Sequence, residues 1–151
     1  MTQPLSRLGT FLPYLLSITS NAVSRRIADE YEARFGLTIP EWRIMAVLGD
    51  AGAMTQRDLV RATMMDKVAV NRACKALEDR ALLVRSPNVL DGRSHHLQLT
   101  ESGRAIHGEV MVIALAMEDR LFRVLSVEER RQFRAMLSRL RNHADELVTE
   151  I

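Results

Sequence analysis

The feature that most constrains the fold of this chain is a pair of short strand-like runs at residues 82–86 and 95–99. In the second run, Leu97 and Leu99 alternate with polar residues, and this pattern predicts a two-stranded hairpin. The connection at 87–94 contains the polar turn Asp91-Gly92-Arg93-Ser94. The other periodic segments of the chain have the spacing of helices, so this hairpin is the predicted β-structure.

Two short helices are predicted immediately before the hairpin. Thr55 followed by Asp58 is a variant capping box that begins a helix ending near residue 62. Asp66 can cap the next helix, at 67–80, after a tight turn. The apolar positions of that helix fall on one face: Val70, Ala73, Cys74 and Leu77. A helix, a short turn and a second helix are the outline of a helix-turn-helix.

Longer helical patterns flank this central segment. The first is predicted at 10–35, and a shorter helix at 41–48 follows Pro40. A fifth helix is capped by Thr100, and a sixth begins at Ser126. One small central segment cannot cover the apolar faces of three long helices. The pattern therefore predicts a dimer in which the terminal helices pack against the partner.

Composition bounds the class of protein. With 151 residues, 47% of them hydrophobic and 26% charged, the chain is expected to form one integrated domain. The sequence has neither a run of apolar residues long enough to span a membrane nor an export signal after Met1. We therefore expect a cytoplasmic protein. Residues 55–104 hold nine basic and six acidic residues, an excess of three positive charges, and the rest of the chain lowers this to the net charge of +2.

Several motifs, in this order, resemble the multiple-antibiotic-resistance regulator (MarR) family. They are Leu37-Thr38-Ile39-Pro40-Glu41-Trp42-Arg43, Thr55-Gln56-Arg57-Asp58-Leu59, Ala76-Leu77-Glu78-Asp79-Arg80, Leu83-Val84-Arg85, Asp91-Gly92-Arg93-Ser94 and Leu97-Gln98-Leu99-Thr100-Glu101-Ser102-Gly103. The resemblance implies a mainly α (α+β) fold, a winged helix-turn-helix with long terminal dimerisation helices. It also implies an arm and dimerisation helix at 1–35, a DNA-binding region at 36–104 and dimerisation helices at 105–151.

In that family a homodimer places one recognition helix per subunit in successive major grooves of DNA. If the apolar face of the helix at 67–80 is turned inward, the outward residues are Lys67, Val68, Asn71, Arg72 and Lys75. We expect Arg72 to contact a base and the two lysines to contact phosphates. Val68 can meet a thymine methyl group and Asn71 can pair with adenine. Thr55 and Gln56 are also predicted to bind DNA. For the helix at 67–80, a merely solvated face is the alternative.

For the hairpin, the resemblance assigns Arg93 to the minor groove, with Asp91 orienting its guanidinium. The alternative is an ion pair within the turn that only shapes the hairpin. Gly92 stands where the family often has a second basic residue. The hairpin is therefore predicted to bind DNA less tightly.

The resemblance also implies an effector, a small and often aromatic anion bound between the dimerisation helices and the reader. Candidate lining residues are Tyr14, Ser17, Asn21, Trp42 and Met45. Arg25 and Arg26 on the first helix, with Arg43 on the second, could attract a carboxylate, or the phosphates of an acyl-coenzyme A thioester. The alternatives are that the apolar residues belong to the core and that the arginines are solvated or bind the DNA backbone.

Other chemistries find little support in the sequence. The serines lack a nucleophile motif and no glycine-rich phosphate loop is present, so we expect no catalysis and no cofactor. His95 and His96 are neighbours on a strand and point to opposite faces, which does not make a metal pair. Cys74 is predicted to be a buried apolar residue. We expect a ligand-released repressor that binds a pseudo-palindromic operator; a winged-helix protein-interaction module without DNA, or a minor metabolic enzyme, is the alternative.

Overall fold

A computed structural model describes residues 7–87, 90 and 92–149 of the chain. The helices are α1 (Leu12–Phe35), α2 (Ile39–Ala51), α3 (Gln56–Thr63), α4 (Lys67–Asp79), α5 (Glu101–Phe122) and α6 (Val127–Thr149), and the strands are β1 (Met54–Thr55), β2 (Leu83–Pro87) and β3 (His95–Leu99). This is the predicted mainly α fold with a small antiparallel sheet. The chain forms two compact units, Met1–Ala114 and Leu115–Ile151.

Helix α1 begins at Leu12, two residues later than predicted, and ends at Phe35 as predicted. Pro13 lies in the first turn, where its missing N–H costs no helical hydrogen bond. Gly36 ends the helix with φ at 65°, a left-handed conformation that glycine adopts without a steric penalty, and its N–H donates to the carbonyl of Glu32. Several large apolar side chains near the start of α1 are exposed: Phe11, Leu12, Leu16 and Ile18.

Helix α2 is longer than the predicted 41–48. It begins at Ile39 because Thr38 and Glu41 form a capping box: Thr38 Oγ1 accepts from the Glu41 N–H at 3.3 Å, and Glu41 Oε1 accepts from the Thr38 N–H at 3.2 Å. It continues through Gly49 to Ala51 and ends at Gly52, whose φ is 83°. The prediction was wrong at the amino end because it began the helix after Pro40, and at the carboxyl end because it ended the helix at the Gly49-Asp50-Ala51-Gly52 run.

The two helices of the helix-turn-helix begin where the sequence predicted. Thr55 Oγ1 accepts from the Asp58 N–H at 3.1 Å and Asp58 Oδ2 accepts from the Thr55 N–H at 3.2 Å, which confirms the capping box of α3. Hydrogen bonding from the Thr55 side chain, and then from the Thr55 backbone N–H, lowers the pKa of the Asp58 carboxyl. Asp66 Oδ1 accepts from the Ala69 N–H at 2.8 Å and caps α4.

The predicted hairpin is confirmed, with Leu83 opposite Leu99 and Arg85 opposite Leu97. The sheet has a third strand that was not predicted, and the order is β1-β3-β2. Strand β1 consists of Met54 and Thr55 alone, and it pairs with β3 in antiparallel register. Two residues are too few to show an alternating pattern, so the sequence carried no signal for this strand.

The core of the first unit lies between α4, the sheet and the helices that precede them. The four predicted core residues of α4 are all buried: Val70, Ala73, Cys74 and Leu77. Residues from the other elements complete this core, among them Ala28, Tyr31, Leu37, Ile44, Met45, Leu48, Leu59, Leu83, Leu97, Leu99 and Val110. Because α4 is anchored along one face, its opposite face is presented outward.

Helix α5 begins against the two residues that precede strand β2. Thr100 Oγ1 accepts from the Gly103 N–H at 3.0 Å, which confirms the predicted cap, and it donates to the carbonyl of Ala81 at 2.7 Å. A Cβ at Gly103 would lie 2.2 Å from the carbonyl oxygen of Leu82. Glycine is therefore required here so that the two backbones can approach.

The second unit consists of the end of α5 and helix α6. Ser126 and Glu129 form the predicted capping box, with distances of 2.8 and 3.0 Å. The rings of Phe122 and Phe133 pack with centroids 6.2 Å apart. The apolar positions of α6 that follow are exposed: Met136, Leu137, Leu140, Leu147 and Val148. In the parts of the chain that the structure describes, we find no helix with the length and apolar content that a membrane span needs.

Candidate nucleic-acid interface

The outer face of α4 has the composition of a DNA-reading surface. All five residues that the sequence placed there are exposed: Lys67, Val68, Asn71, Arg72 and Lys75. Val68 is 66% exposed, which is unusual for a branched apolar residue on a helix with a well-packed inner face. The predicted orientation of α4 is confirmed, and the individual DNA contacts stay predictions.

A positively charged groove lies where α3 meets the hairpin. Its lining residues are Thr55, Gln56, Arg57, Asp58, Arg61, Arg85, Arg93, Ser94 and His95. Four arginines against one aspartate give this groove an excess of positive charge, and the aspartate is already engaged in the α3 cap. Such a surface attracts phosphate groups.

Sequence reasoning had assigned only Thr55, Gln56 and Arg93 of this groove to DNA. Arg57 and Arg61 were missed, although their spacing of four residues on a helix puts them on one face. Arg85 was missed because its neighbours there come from other elements. Asp91, the predicted partner of Arg93, lies outside the described residues.

Gln56 occupies the centre of a chain of polar contacts. Its Nε2 donates to Asn71 Oδ1 at 3.2 Å, and its Oε1 accepts from Arg85 Nη2 at 3.1 Å. Arg85 also forms an ion pair through Nε with Glu78 Oε1 at 2.5 Å. Thr55, by contrast, is half-buried and its hydroxyl accepts from the Asp58 N–H.

A second groove, between α1 and α2, brings together part of the predicted effector site. It is lined by Ile18, Asn21, Ala22, Ser24, Arg25, Ile39 and Arg43. Asn21, Arg25 and Arg43 were predicted. Ile18 was missed, but it stands three and seven residues before Asn21 and Arg25 and thus shares their helix face.

The other predicted effector residues lie elsewhere. Met45 is fully buried in the core and is not among the residues that line this groove, so its contact with an effector stays a prediction. Trp42 packs against the tilted rings of Tyr31 and His107, with ring centroids 5.9 and 5.6 Å away. Tyr14 and Ser17 are exposed on α1 outside the groove.

The two arginines of this second groove differ electrostatically. Arg25 donates to Glu32 at 2.5 Å and to Asp29 at 3.1 Å, and the bond to Glu32 contributes most to raising its pKa. Arg43 donates to the neutral hydroxyl of Ser24 at 3.4 Å. Within the described part of the chain, Arg43 forms no ion pair with an acidic residue. Among the described residues, Arg43 is therefore the arginine of this groove whose charge is not offset by an ion pair.

The cysteine and the histidines are placed as follows. Cys74 is fully buried, as predicted, and burial raises the pKa of its thiol to about 11. His95 is exposed and His96 half-buried on adjacent positions of β3. Burial lowers the pKa of the His107 imidazole, and the carboxylate of Asp50 partly opposes that shift.

The chain is similar to known regulators in sequence and in fold. A model described as MarR family matches residues 35–94. The HTH-type transcriptional repressor Rv2887 of Mycobacterium tuberculosis is 30% identical over 129 residues, which are 85% of this chain and 92% of that protein.

Solved structures extend the similarity. The MarR family transcriptional regulator SPO1453 from Silicibacter pomeroyi DSS-3 superposes with a TM-score of 0.75 at 31% identity, covering 88% of this chain and 97% of the other. BpsR of Bordetella bronchiseptica superposes with a TM-score of 0.69 at 25% identity, covering 83% and 98%. Its structure is described as a mechanism for regulation of DNA binding by 6-hydroxynicotinic acid.

Proposed function

This chain belongs to the MarR family of DNA-binding transcription regulators, and from that premise we propose that it is a homodimeric repressor released from a pseudo-palindromic operator by a small aromatic acid. The observation that carries the proposal is the exposed cationic face of α4 beside the arginine-rich groove. In a two-fold dimer that binds successive major grooves, the half-site centres lie about one helical turn, roughly 34–36 Å, apart.

On the DNA, α4 enters the major groove. Arg72 is placed to contact a base, and Lys67 and Lys75 to contact phosphates on either side. Arg57 and Arg61 of α3 face the same backbone from the groove, which adds two cations to those assigned from the sequence. Arg93 reaches the minor groove, where negative potential is concentrated.

The homodimer is supported by apolar surface that the single chain leaves uncovered. In the second unit, Leu140 is 55% exposed and Met136 54%, on the predicted packing face of α6. In the first unit, Phe11 and Leu12 are 54% and 76% exposed. Apolar faces of this kind mark interaction surfaces, and a second copy of the same chain covers them in a closed two-fold assembly.

The effector is proposed to bind in the groove between α1 and α2. Arg43 supplies a charge for a carboxylate, Asn21 and Ser24 supply polar groups, and Ile18 and Ile39 supply apolar walls. A few polar groups among apolar walls suit a small planar acid. The relative BpsR, whose DNA binding is described as regulated by 6-hydroxynicotinic acid, supports this chemical class. Release requires that the bound form prefer a wing separation that no longer fits the operator.

The DNA-binding part of the proposal is tested by titrating the protein with random-sequence duplex at two salt concentrations and then selecting the preferred duplex. Binding that weakens steeply with salt, through release of counterions from the DNA, is expected. A selected sequence with two-fold symmetry is also expected. Absence of binding at low salt would overturn the proposal.

The effector part is tested by thermal-shift titration with aromatic carboxylic acids and with their coenzyme A thioesters. The acids are expected to stabilise the wild type and to release operator DNA, and Arg43→Ala is expected to lose both responses. Arg26→Ala, an exposed arginine of α1 outside the groove, is the matched control and should respond like the wild type. A response to thioesters alone would contradict the proposed ligand class.

A further inference from the structure

A line of four polar side chains connects the hairpin to the recognition helix. It runs from Glu78 to Arg85, then to Gln56 and Asn71, with distances of 2.5, 3.1 and 3.2 Å. Arg85 lies on β2, Gln56 begins α3, and Asn71 lies on the outward face of α4. The side chains of Glu78 and Arg85 are 25% and 35% exposed, so this end of the line is largely shielded from water.

The chemistry of this line fixes the orientation of both amides. A carboxylate only accepts hydrogen bonds and a guanidinium only donates them. Arg85 must therefore meet the carbonyl oxygen of Gln56, which leaves the Gln56 amide N–H₂ facing Asn71. Asn71 must then accept this hydrogen bond with its Oδ1 atom. Its Nδ2 group, which carries two donors, is then the part of the amide left for other partners.

We propose that Arg85 and Gln56 are positioning residues that hold Asn71 with its N–H₂ group toward the DNA. Asn71 then selects a base that presents a hydrogen-bond acceptor in the major groove. The inference rests on the proposed docking of α4 in the major groove. The purine N7 and guanine O6 are acceptors on that edge, whereas cytosine N4 and adenine N6 are donors. It refines the expectation that Asn71 pairs with adenine, because one lone pair of its oxygen is already occupied by Gln56.

An effect of Gln56 and Arg85 through Asn71 can be distinguished from a direct contact of either residue with DNA. If either residue contacted DNA by itself, its loss would weaken binding at the atom it touched. As positioning residues, both act through Asn71. Their replacement should then change which base is preferred at one place in each half-site, and only while Asn71 is present.

The decisive variant is Gln56→Glu, which has nearly the same shape but no donor. Its carboxylate can still accept from Arg85, and it can satisfy Asn71 only by accepting from the Asn71 Nδ2 group. The Asn71 amide then turns over and presents Oδ1 outward. Duplex selection should show the preference at one position per half-site change by about tenfold, from a base that presents an acceptor to one that presents a donor.

Four further variants test this assignment, and the first controls for the added negative charge. Gln98→Glu makes the same change on the exposed part of β3, outside the arginine-rich groove, and should leave base preference unaltered. Asn71→Ala should abolish the preference at that position, and adding Gln56→Glu to Asn71→Ala should change nothing further there. Arg85→Met frees the Gln56 amide to rotate and should relax the preference without reversing it.

A measurement without DNA completes the test. In the ¹⁵N-labelled protein, Gln56→Glu should shift the side-chain Nδ2 resonances of Asn71, because that group gains a carboxylate partner. A wild type that selects an operator while Gln56→Glu keeps the same base preference and the same Asn71 resonances would overturn the inference and leave the proposed function standing. A wild type that binds no duplex would overturn both.

Discussion

The imidazole of His107 lies directly against the backbone of Gly49: a Cβ built on that glycine would be 2.2 Å from His107 Nε2. The same ring also packs against Trp42, with the ring centroids 5.6 Å apart, which restricts its movement. Gly49 lies inside α2 and His107 inside α5, so this contact sets how closely the two helices approach within the first unit.

Gly49→Ala is therefore expected to destabilise the protein relative to Gly108→Ala. Gly108 also lies inside a helix, but a Cβ there meets no atom within 4 Å. The gain in helix propensity is common to both variants, so the free energies of unfolding should differ by about 1–3 kcal/mol, the cost of overpacking. Urea denaturation measures the difference. In a His107→Ala background the two alanine variants should become equally stable, and a persistent gap would contradict the assignment.

The same histidine predicts a pH dependence of stability. Burial lowers the pKa of His107 in the folded protein, so the unfolded chain binds the proton more readily. The free energy of unfolding should then fall as the pH drops below the ordinary histidine value of 6.5 and level off below the lowered folded-state pKa. Unfolding curves for wild type and His107→Gln at pH 7.5 and pH 5.5 should show a smaller acid loss for the variant. His95→Gln, an exposed control, should behave like the wild type.

Arg93→Ala is expected to weaken operator binding by roughly 1–3 kcal/mol without unfolding the protein. The residue is exposed and lines the same groove as Arg57 and Arg85, so its loss removes charge from the DNA side without opening the core. Fluorescence anisotropy with the selected duplex measures the change. Arg139→Ala removes an equal charge from an exposed position of α6 and should bind as the wild type does. Equal affinity of both variants would mean that Arg93 only shapes the hairpin.

Leu140→Glu is expected to raise the dimer dissociation constant by at least about a hundredfold, since a carboxylate without a partner would be buried in the interface. Asn142→Glu introduces the same group at an exposed polar position of the same helix and should leave the dimer intact. Light scattering after gel filtration distinguishes the two. Truncation after Ser126 removes α6 entirely and should also abolish the dimer; a fully dimeric truncated chain would show that α6 is not part of the interface.

Cys74 is expected to be chemically inert in the folded protein. With a pKa of about 11, only about one thiol in ten thousand is ionised at pH 7, and the side chain is fully buried. Reaction with Ellman's reagent should be slow in native buffer and fast in denaturant. Cys74→Ala should bind operator and tolerate peroxide like the wild type. Rapid labelling of the native protein would instead indicate a reactive, accessible thiol.

Local patterns in the sequence predicted much of the fold. The capping boxes at Thr55 and Ser126 are confirmed because they join residues three apart, and such hydrogen bonds form wherever that local spacing is helical. The buried face of α4 is confirmed because helical periodicity alone determines which side chains share a face. The box at Thr38 was missed because the helix was predicted to begin after Pro40. Strand β1 was missed because two residues carry no periodic signal.

What only the tertiary structure decided is which side chains from different elements meet. Gln56 contacts Asn71 and Arg85 across separations of 15 and 29 residues, and no local pattern links positions that far apart. The same holds for Met45, an apolar residue whose complete burial in the core depends on the packing of α2 against its neighbours. The sequence by itself determined the helices, the hairpin and the outward face of α4, because those depend on short-range hydrogen bonding and periodicity. The arginine-rich groove and the polar line to Asn71 arise from packing between elements, and only the folded chain brings their residues together.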